Sequence, residues 1–247
     1  MAKRGAFGTL LYMGTRQVES MTITGAADAG GGSFTLTLTA TGVAGVPITV
    51  AVAALDDVGQ CAQKARVAAR ALTTITNFCE VGGSGATVSF TMLLAAANNA
   101  AMAIVFAAGD SGCTAGATTA TTAGVAYASI ASIKSLTGPS LKLDTEDVTS
   151  HDSASGWEEV VPTVLREGNV KLDLIYDPAE DSHDATAVGG LAYLLKNKYE
   201  RGYKVVWPDT TLWTFPAVVE SFEPGAPVDG ALTAAVSLKI SGRPVLA

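Results

Sequence analysis

Two histidines are the residues of this sequence best suited to proton transfer or metal binding, and an aspartate directly follows each one. The pairs are His151-Asp152 and His183-Asp184. Adjacent residues seldom point into one site, and no third ligand follows at the spacing of a metal site. We therefore expect both pairs to be surface loop residues, and we predict neither a metal nor a cofactor.

A Gly-Asp-Ser-Gly sequence at 109–112 has the residue order found around the nucleophile of trypsin-like proteases. Such a serine needs a histidine and an aspartate upstream, whereas both histidines of this chain lie downstream. The acidic residues between 144 and 159 show no pattern that sets two of them across a pocket, as acid–base catalysis requires. The sequence therefore predicts a protein without catalytic activity.

The composition favours a folded chain that does not bind phosphates through basic residues. The 247 residues are 48% apolar and carry a formal net charge of -7, which supplies a core and disfavours nucleic-acid binding. The uncharged stretch 81–109 contains Asn98 and Asn99 and lacks a basic flank, so we expect no membrane span. Residues 1–7 precede no long apolar run, and we expect no secretory signal.

Three cysteines, Cys61, Cys79 and Cys113, follow no regular spacing. An odd number without a pattern is not a disulfide framework. One interpretation is that all three are small buried thiols. The other is a Cys79–Cys113 disulfide in a particle that meets oxidising conditions.

Charged residues divide the chain into two regions. Only nine of the 39 charged residues lie among the 108 residues from 17 to 124, and all three tryptophans lie outside that stretch. We predict that residues 1–16 and 125–247 form one discontinuous domain and that 17–124 are inserted into it. Long insertions survive in exposed loops because closure entropy grows slowly with loop length.

Hydrophobic periodicity predicts a small ββαββ domain in the insertion. Alternating apolar residues indicate strands, and apolar residues at helical spacing indicate a helix that Asp56 or Asp57 begins. A glycine-, alanine- and threonine-rich linker is expected to follow. The predicted elements are a hairpin at 33–39 and 48–52 around a turn at 42–47, a helix at 58–72, strands at 88–92 and 103–106, and the linker at 107–124.

The rest of the chain is predicted to be mostly β, an α+β arrangement with one helix. Its strand order fits an antiparallel sandwich or barrel. The helix is expected from Asp184 to Glu200, with Gly202 ending it. The predicted strands are 6–13, 140–147, 170–176, 204–207, 212–215, 218–222 and 233–240.

Four stretches outside the insertion carry a resemblance to a known family. The most specific is Ser221–Thr233 with the Ser-Gly-Arg-Pro sequence that follows at 241–244. The others are Ala2–Leu11, Ile133–Trp157 with its core Gly138–Ser153, and Tyr176-Asp177-Pro178. In these stretches the chain resembles the tail tube proteins of siphophages, which have long noncontractile tails. The resemblance covers residues 1–16 and 125–247 and includes no catalytic signature.

The resemblance implies a structural subunit of a virion tail, assembled in the host cytoplasm. Six copies would form a ring with a continuous inner β-barrel, and rings would stack into a tube. The implied partners are other copies of the chain and the tape measure, tail terminator and tail tip proteins. The inserted domain is a departure from this resemblance, and we expect it on the outer surface of the tube.

The loop from about Asp144 to Gly168 is, by this resemblance, the one that reaches the next ring. An apolar cluster on a charged loop needs a covering surface. The alternative is that these residues pack on their own subunit. The candidate contacts are Trp157, Val160, Val161, Pro162 and Val164.

A lumen biased towards acidic residues would repel DNA phosphates, so that the genome could slide through without specific binding. Lys142 and Lys171 share faces with some of the acidic candidates, so the sequence leaves open which face lies inside. The lumen candidates are Asp144, Glu146, Asp173 and Glu220.

Two other functions compete with a tube subunit. The first is a phage surface adhesin in which the insertion binds a glycan. The second is a hydrolase that uses His151 or His183. A tube subunit should form stacked rings, an adhesin should be a soluble oligomer that binds glycans, and a hydrolase should show an activity that depends on a histidine.

Overall fold

A computed structural model of the chain describes residues 8–41, 43–150 and 157–246. The fold is mostly β with antiparallel sheets, which confirms the predicted fold class. The backbone divides into two compact units: the first comprises 1–13 and 128–247, and the second comprises 14–127. That the second unit is an insertion remains a prediction.

The first unit is built around an eight-stranded sheet. Its strand order is β10-β1-β15-β16-β17-β14-β11, with β18 beside β16. One short helix, α3, packs against β16. The bounds are β1 (Leu10–Thr15), β10 (Val125–Ser129), β11 (Ile133–Thr137), β14 (Asn169–Ile175), α3 (Leu191–Asn197), β15 (Glu200–Val206), β16 (Leu212–Gly225), β17 (Thr233–Ile240) and β18 (Val245–Leu246).

Alternation of apolar and polar residues produces the core of this unit. Leu172 on β14 lies opposite Val236 on β17, and both side chains are buried while their sequence neighbours face outwards. The stacked rings of Tyr203 and Phe215 extend the same core across β15 and β16. The predicted strands 170–176 and 233–240 are thereby confirmed, and β16 joins the two short strands predicted at 212–215 and 218–222.

The predicted helix at 184–200 is wrong in extent, because only Leu191–Asn197 is helical. Asp184 instead accepts hydrogen bonds from the N–H and hydroxyl of Thr186, which closes a turn. At the other end Lys198 adopts a left-handed conformation with φ 57° and ends the helix. Gly202, the predicted end, lies inside β15.

Two opposite edges of the sheet, β10 and β11, are joined by only three residues. The N–H of Ile130 donates to the carbonyl of Leu11 on β1, and the carbonyl of Ser132 accepts from the N–H of Ile175 on β14, each at 2.9 Å. The Cα atoms of Ile130 and Ser132 lie at most about 7 Å apart. The sheet is therefore curled so that its edges approach each other at this crossover.

A separate two-stranded ribbon, β12 (Leu141–Asp147) and β13 (Val160–Glu167), interrupts the first unit between β11 and β14. It prolongs the β11–β14 pair, because Gly168 N–H donates to the carbonyl of Ser140 just beyond the last β11–β14 partners. The ribbon forms its own sheet. Leu141 and Leu143 lie at alternate positions of β12 and are both exposed.

The second unit contains two sheets and a helix around one core. One sheet has the order β5-β6-β2-β8 with β9 also beside β2, and the other has the order β4-β3-β7. The bounds are β2 (Val18–Gly25), β3 (Gly32–Ala40), β4 (Val43–Val52), α1 (Val58–Ala71), α2 (Thr73–Thr76), β5 (Cys79–Gly82), β6 (Thr87–Met92), β7 (Ala103–Ala107), β8 (Thr114–Ala115) and β9 (Thr119–Thr122).

The predicted hairpin is present as β3 and β4, with Phe34 opposite Val50 and Leu36 opposite Ile48. All four side chains are buried, as the alternation predicted. The connection is shorter than the predicted turn at 42–47, because β4 begins at Val43.

Helix α1 begins as the sequence predicted. The carboxylate of Asp57 accepts from the N–H of Gln60 at 2.8 Å, and the Gln60 side chain accepts from the N–H of Asp57 at 2.9 Å. This reciprocal capping box satisfies two backbone donors at the helix start. The small residues at helical spacing then face the core, with Cys61, Ala62, Ala65 and Ala69 buried.

The predicted linker at 107–124 is wrong, since these residues are part of the packed unit. They supply β8 and β9, which both pair with β2. Cys113 is fully buried, and Thr118 donates its hydroxyl to the buried carboxylate of Glu19 at 2.6 Å. Threonine suits a strand as well as a flexible segment, and composition alone did not distinguish the two.

Candidate assembly surfaces

His183 is completely buried, so the expectation of a surface histidine is wrong at this position. Its Nδ1 accepts from the N–H of Asp177 at 3.3 Å, which leaves the proton on Nε2 to bond the carbonyl of Ala131 at 3.0 Å. The ring therefore ties the loop after β14 to the crossover between the sheet edges. His151 and Asp152 lie outside the described residues.

The Gly-Asp-Ser-Gly sequence forms a tight turn with both glycines at positive φ. Ser111 is buried and donates its hydroxyl to the carbonyl of Ala108 at 2.7 Å, while Asp110 accepts from the N–H of Ser33 at 2.7 Å. Both side chains thus serve the local backbone. The Gly-Asp-Ser-Gly sequence is therefore accounted for by the turn, because glycine, aspartate and serine are residues that turns favour.

All three cysteines are free and buried, which confirms the first interpretation and contradicts a Cys79–Cys113 disulfide. The sulfur nearest to Cys113 is that of Cys61, at 3.6 Å. Burial raises the pKa of the Cys79 thiol to about 12. Burial, and then the contact with Cys113, raises the pKa of Cys61 to about 11.

One face of the ribbon holds five apolar residues together with Thr145, Asp147 and Glu167. Leu143 lies directly opposite Leu165, and Thr145 lies opposite Pro162. Directly opposite residues share a face, as do alternate residues along one strand. We call this surface the apolar face, and its apolar members are Leu141, Leu143, Val160, Pro162 and Leu165.

Solvent reaches this apolar face. Leu143 is 48% exposed and Leu165 is 74% exposed. A two-stranded ribbon without a covering layer is marginally stable in water. Leu141, which is also exposed, adds to the apolar side-chain area that this face leaves in solvent.

The opposite face of the ribbon is charged. Asp144 forms ion pairs with Arg166 and Lys142, and Lys142 lies opposite Arg166 in the strand register. Hydrogen bonding to Arg166 is the main cause that holds the pKa of Asp144 below its usual range. This face is solvated and internally neutralised, in contrast to the apolar face.

All five predicted stacking residues lie at the ribbon or directly before it. Each is exposed, including Trp157 at 76%. They do not form one surface, because Val160 and Pro162 are on the apolar face whereas Val161 pairs with Glu146 on the other. Leu141, Leu143 and Leu165 are further exposed apolar residues of the ribbon.

The four predicted lumen residues fall on two surfaces. Asp173 and Glu220 lie on the exposed side of the large sheet, where Asp173 accepts from the hydroxyl of Ser135. Glu220 sits at a register shift of β16 and accepts from Asn169 at 2.9 Å and Ser237 at 3.1 Å. Asp144 and Glu146 instead lie on the charged face of the ribbon.

The second unit has a shallow groove of about 460 Å³ between α1 and β4. Its polar groups are the side chains of Gln60, Gln63 and Lys64, and Val67 provides an exposed apolar wall. Within the described ranges no three metal-binding side chains come together. Among the described helices none has the length and apolar character of a membrane span.

The described residues form a mostly β protein whose β12–β13 ribbon carries exposed apolar side chains. A sequence model of the lambda phage tail tube protein family matches residues 113–247. The chain belongs to this family, and it is therefore a structural protein of the virion tail. No curated protein matches the chain.

Chains in three solved structures match about half of this chain. A chain from the tail of an empty gene transfer agent particle with C6 symmetry is 18% identical and has a TM-score of 0.42, and the match covers 49% of this chain and 86% of that one. A chain from the native gene transfer agent virion is 17% identical with the same TM-score, over 49% and 88%. A chain from the anti-feeding prophage baseplate is 14% identical with a TM-score of 0.37, over 48% and 83%.

Proposed function

We propose that copies of this chain close into hexameric rings that stack into a tube, and that the tube conducts the viral genome without catalysis. The observation that carries the proposal is the exposed apolar face of the β12–β13 ribbon. The family places the chain in a tail tube. The number six rests on the family resemblance alone.

Stacking would supply the cover that the ribbon lacks. The exposed leucines Leu143 and Leu165 remove apolar area from water only if another surface packs on them. A tube contains many copies of the ring, so a neighbouring ring is available to cover the ribbon. We therefore assign Trp157, Val160, Val161, Pro162 and Val164 to the ribbon-mediated contact between rings, with the three leucines at its centre.

Ring closure would use the edges of the large sheet. Strands β10 and β11 end the sheet order in the described part of the chain. Unpaired edges expose backbone donors and acceptors, and pairing between subunits removes them. A continuous inner barrel built from such pairs supports the ring geometry.

The exposed side of β14, β17 and β16 is our candidate for the lumen wall. It carries Asp173 and Glu220 together with Lys171 and Lys239, so its charge is mixed. Asp144 and Glu146 stay lumen candidates only if the ribbon also borders the channel. Acidic groups there would keep DNA phosphates from sticking.

Tape measure, tail terminator and tail tip proteins are the further partners we propose, and the second unit is proposed to decorate the outside of the tube. A phage adhesin that binds a glycan is the second candidate function. The groove at Gln60, Gln63 and Lys64 favours it, since amides and an ammonium group can hydrogen-bond sugar hydroxyls.

Negative-stain imaging of the purified chain tests the tube proposal. We expect rings or hollow tubes for the wild type, and rings without tubes for the Leu143→Glu/Leu165→Glu variant, because the two charges prevent burial of the apolar face. The matched control is Leu94→Glu/Val105→Glu, which changes two exposed apolar residues of the second unit outside the groove. Monomers that bind glycans would overturn the proposal in favour of the adhesin.

A further inference from the structure

Two buried thiols lie side by side in the core of the second unit. The sulfur atoms of Cys61 and Cys113 are 3.6 Å apart, and both residues are fully buried. Cys61 lies in the first turn of α1, and Cys113 directly precedes β8, 52 residues further along the chain. The fold, and not the local sequence, therefore brings these two sulfurs together.

Weak hydrogen bonds hold the reduced pair. The thiol of Cys61 donates to the carbonyl of Asp56 at 3.7 Å, so its sulfur is left to accept the thiol hydrogen of Cys113. Burial, and then the contact with Cys113, raises the pKa of Cys61 to about 11, which keeps this group in the thiol form at neutral pH. Thiols are weak donors and weak acceptors, so a covalent bond would replace little hydrogen-bond energy.

The Cys113 side of the pair is the side that can move. A disulfide joins sulfur atoms about 2.05 Å apart, so the two sulfurs must approach by about 1.6 Å. Cys61 is held by α1, whose inward face is packed in the core. Strand β8 has only two residues, ends the order of its sheet and pairs with β2 across a register shift. Opening of such a short edge takes less free energy than opening of the core, and it would admit a small oxidant.

We propose that Cys61 and Cys113 are a latent disulfide site, which stays reduced while the chain folds in a reducing compartment and closes when the folded chain meets an oxidising medium. Cytosolic thiols are kept reduced, whereas disulfides persist on virions outside the cell. The chain is a protein of the virion tail and so belongs to a particle that meets both conditions. The inference does not depend on how the rings stack.

The oxidant is a small-molecule disulfide, and the reaction is a pair of thiol–disulfide exchanges. The thiolate of Cys113, on the segment that opens, attacks one sulfur of the reagent and expels one small thiolate, which leaves a mixed disulfide. The thiolate of Cys61 then attacks the Cys113 sulfur and expels the second small thiolate. The two protons of the protein thiols end on the two expelled thiols. The reagent gains two electrons, and the cysteine pair loses two.

The bond would fasten the segment that leads out of the second unit. It joins the start of α1 to the residue before β8, and it encloses β5, β6 and β7 in the closed loop. A cross-link over a loop of this length restricts the unfolded chain and so stabilises the folded unit. The second unit would therefore become harder to unfold after the particle leaves the cell.

Oxidation of the folded chain with bis(2-hydroxyethyl) disulfide tests the inference. Free thiols are counted in denaturant after the reagent is removed, and peptide mass mapping identifies the linked cysteines. Cys79→Ala keeps the pair and removes the other buried thiol, whereas the matched variants Cys61→Ala and Cys113→Ala each leave one member of the pair. Thermal unfolding is followed before oxidation, after oxidation and after reduction with dithiothreitol.

We expect the free thiols to fall from three to one in the wild type, with a link between the peptides that contain Cys61 and Cys113. The melting temperature of the second unit should rise by at least about 5 °C and return to its first value on reduction. Cys79→Ala should show the same rise. Cys61→Ala and Cys113→Ala should show none.

Refolding of the wild type from urea in the same reagent separates access from geometry. A bond that forms only during refolding would overturn oxidation of the folded chain. Three free thiols under both conditions, or a link through Cys79, would overturn the pair itself. A rise in melting temperature that Cys61→Ala shares would show that the reagent, and not the bond, stabilises the chain, and this also would overturn the inference.

Discussion

The β3–β4 hairpin of the second unit and the β12–β13 ribbon of the first are both antiparallel pairs with apolar residues at alternate positions. In the hairpin, Leu36 lies opposite Ile48 and neither is exposed at all. In the ribbon, Leu143 lies opposite Leu165 and both remain in solvent. The chain itself thus buries the apolar residues of the hairpin, whereas it leaves those of the ribbon exposed to solvent.

The difference lies in what surrounds each pair. β3 pairs on its other side with β7, and α1 packs against β4, so the hairpin has neighbours in the sheet and a covering layer. The ribbon has neither within the described chain. Alternation therefore predicts a strand, whereas burial depends on a layer that local sequence does not encode.

The largest expected effect is a difference in unfolding free energy between a variant of the β3–β4 hairpin and a variant of the β12–β13 ribbon. Leu36→Ala should lower the free energy of unfolding of the second unit by about 2–5 kcal/mol, because it leaves a cavity in a packed core. Leu143→Ala should change the stability of the unassembled chain by no more than about 0.5 kcal/mol. Urea unfolding below the concentration of assembly measures both, and equal losses would break the comparison.

The pH dependence of stability should come from the buried Cys79 thiol. Burial raises the pKa of Cys79 to about 12 in the folded chain, above the ordinary thiol value of 9.0. The unfolded thiol therefore ionises first, so stability is intact below pH 9 and falls as the pH rises towards 12. The slope is at most about 1.4 kcal/mol per pH unit for each such thiol.

Urea midpoints of the wild type and of Cys79→Ala between pH 8 and pH 11 check this expectation. The variant should lose less stability over that range than the wild type. As a matched probe, a Leu143→Cys thiol on the ribbon should react with a thiol reagent at pH 8 at least about a hundredfold faster than the three native cysteines. Parallel pH curves would show that the Cys79 thiol does not carry the effect.

A smaller effect is expected where the second unit starts its helix. Asp57→Ala removes the acceptor of the Gln60 N–H and should cost about 1 kcal/mol of unfolding free energy. Asp57→Asn keeps a capping oxygen and should recover most of the loss. Thermal unfolding of the three proteins measures this, and an unchanged midpoint for the alanine variant would contradict the capping role.

The smallest effect is expected on the charged face of the ribbon. Arg166→Ala should leave the urea midpoint unchanged, because solvent screens an exposed ion pair. The same substitution should raise the pKa of Asp144 towards its ordinary value, because the Arg166 hydrogen bond is what lowers that pKa. A carboxyl NMR titration follows the shift, with Lys142→Ala as a weaker companion. A marked loss of stability would show that the ribbon is held together by this pair.

Local chemistry was sufficient to predict much of the second unit. The alternation at 33–39 and the cap at Asp57 both identify their elements because the determining contacts are close in sequence. The segment 107–124 failed as a linker because its pairing partner, β2, lies about a hundred residues away. Nothing in its composition reports that distant strand.

The surfaces were predictable only in part. The family resemblance indicates the stretch 157–164, whereas the alternation at 140–147 predicts a strand without showing that Leu141 and Leu143 are exposed. The sequence predicts a surface position for His183 because it does not show that the fold brings the carbonyl of Ala131, 52 residues away, to the ring. Side chains defined by long-range contacts are the ones that sequence patterns miss.

The central claim is that the ribbon is exposed in the free chain and covered in the assembled tube. Its most direct test compares hydrogen exchange of the ribbon amides in these two states. We predict that Leu141–Asp147 and Val160–Glu167 exchange rapidly in the free chain and become protected on assembly, while β3 is protected in both states. A ribbon that is already protected in the free chain, or that stays unprotected in the tube, would contradict the account.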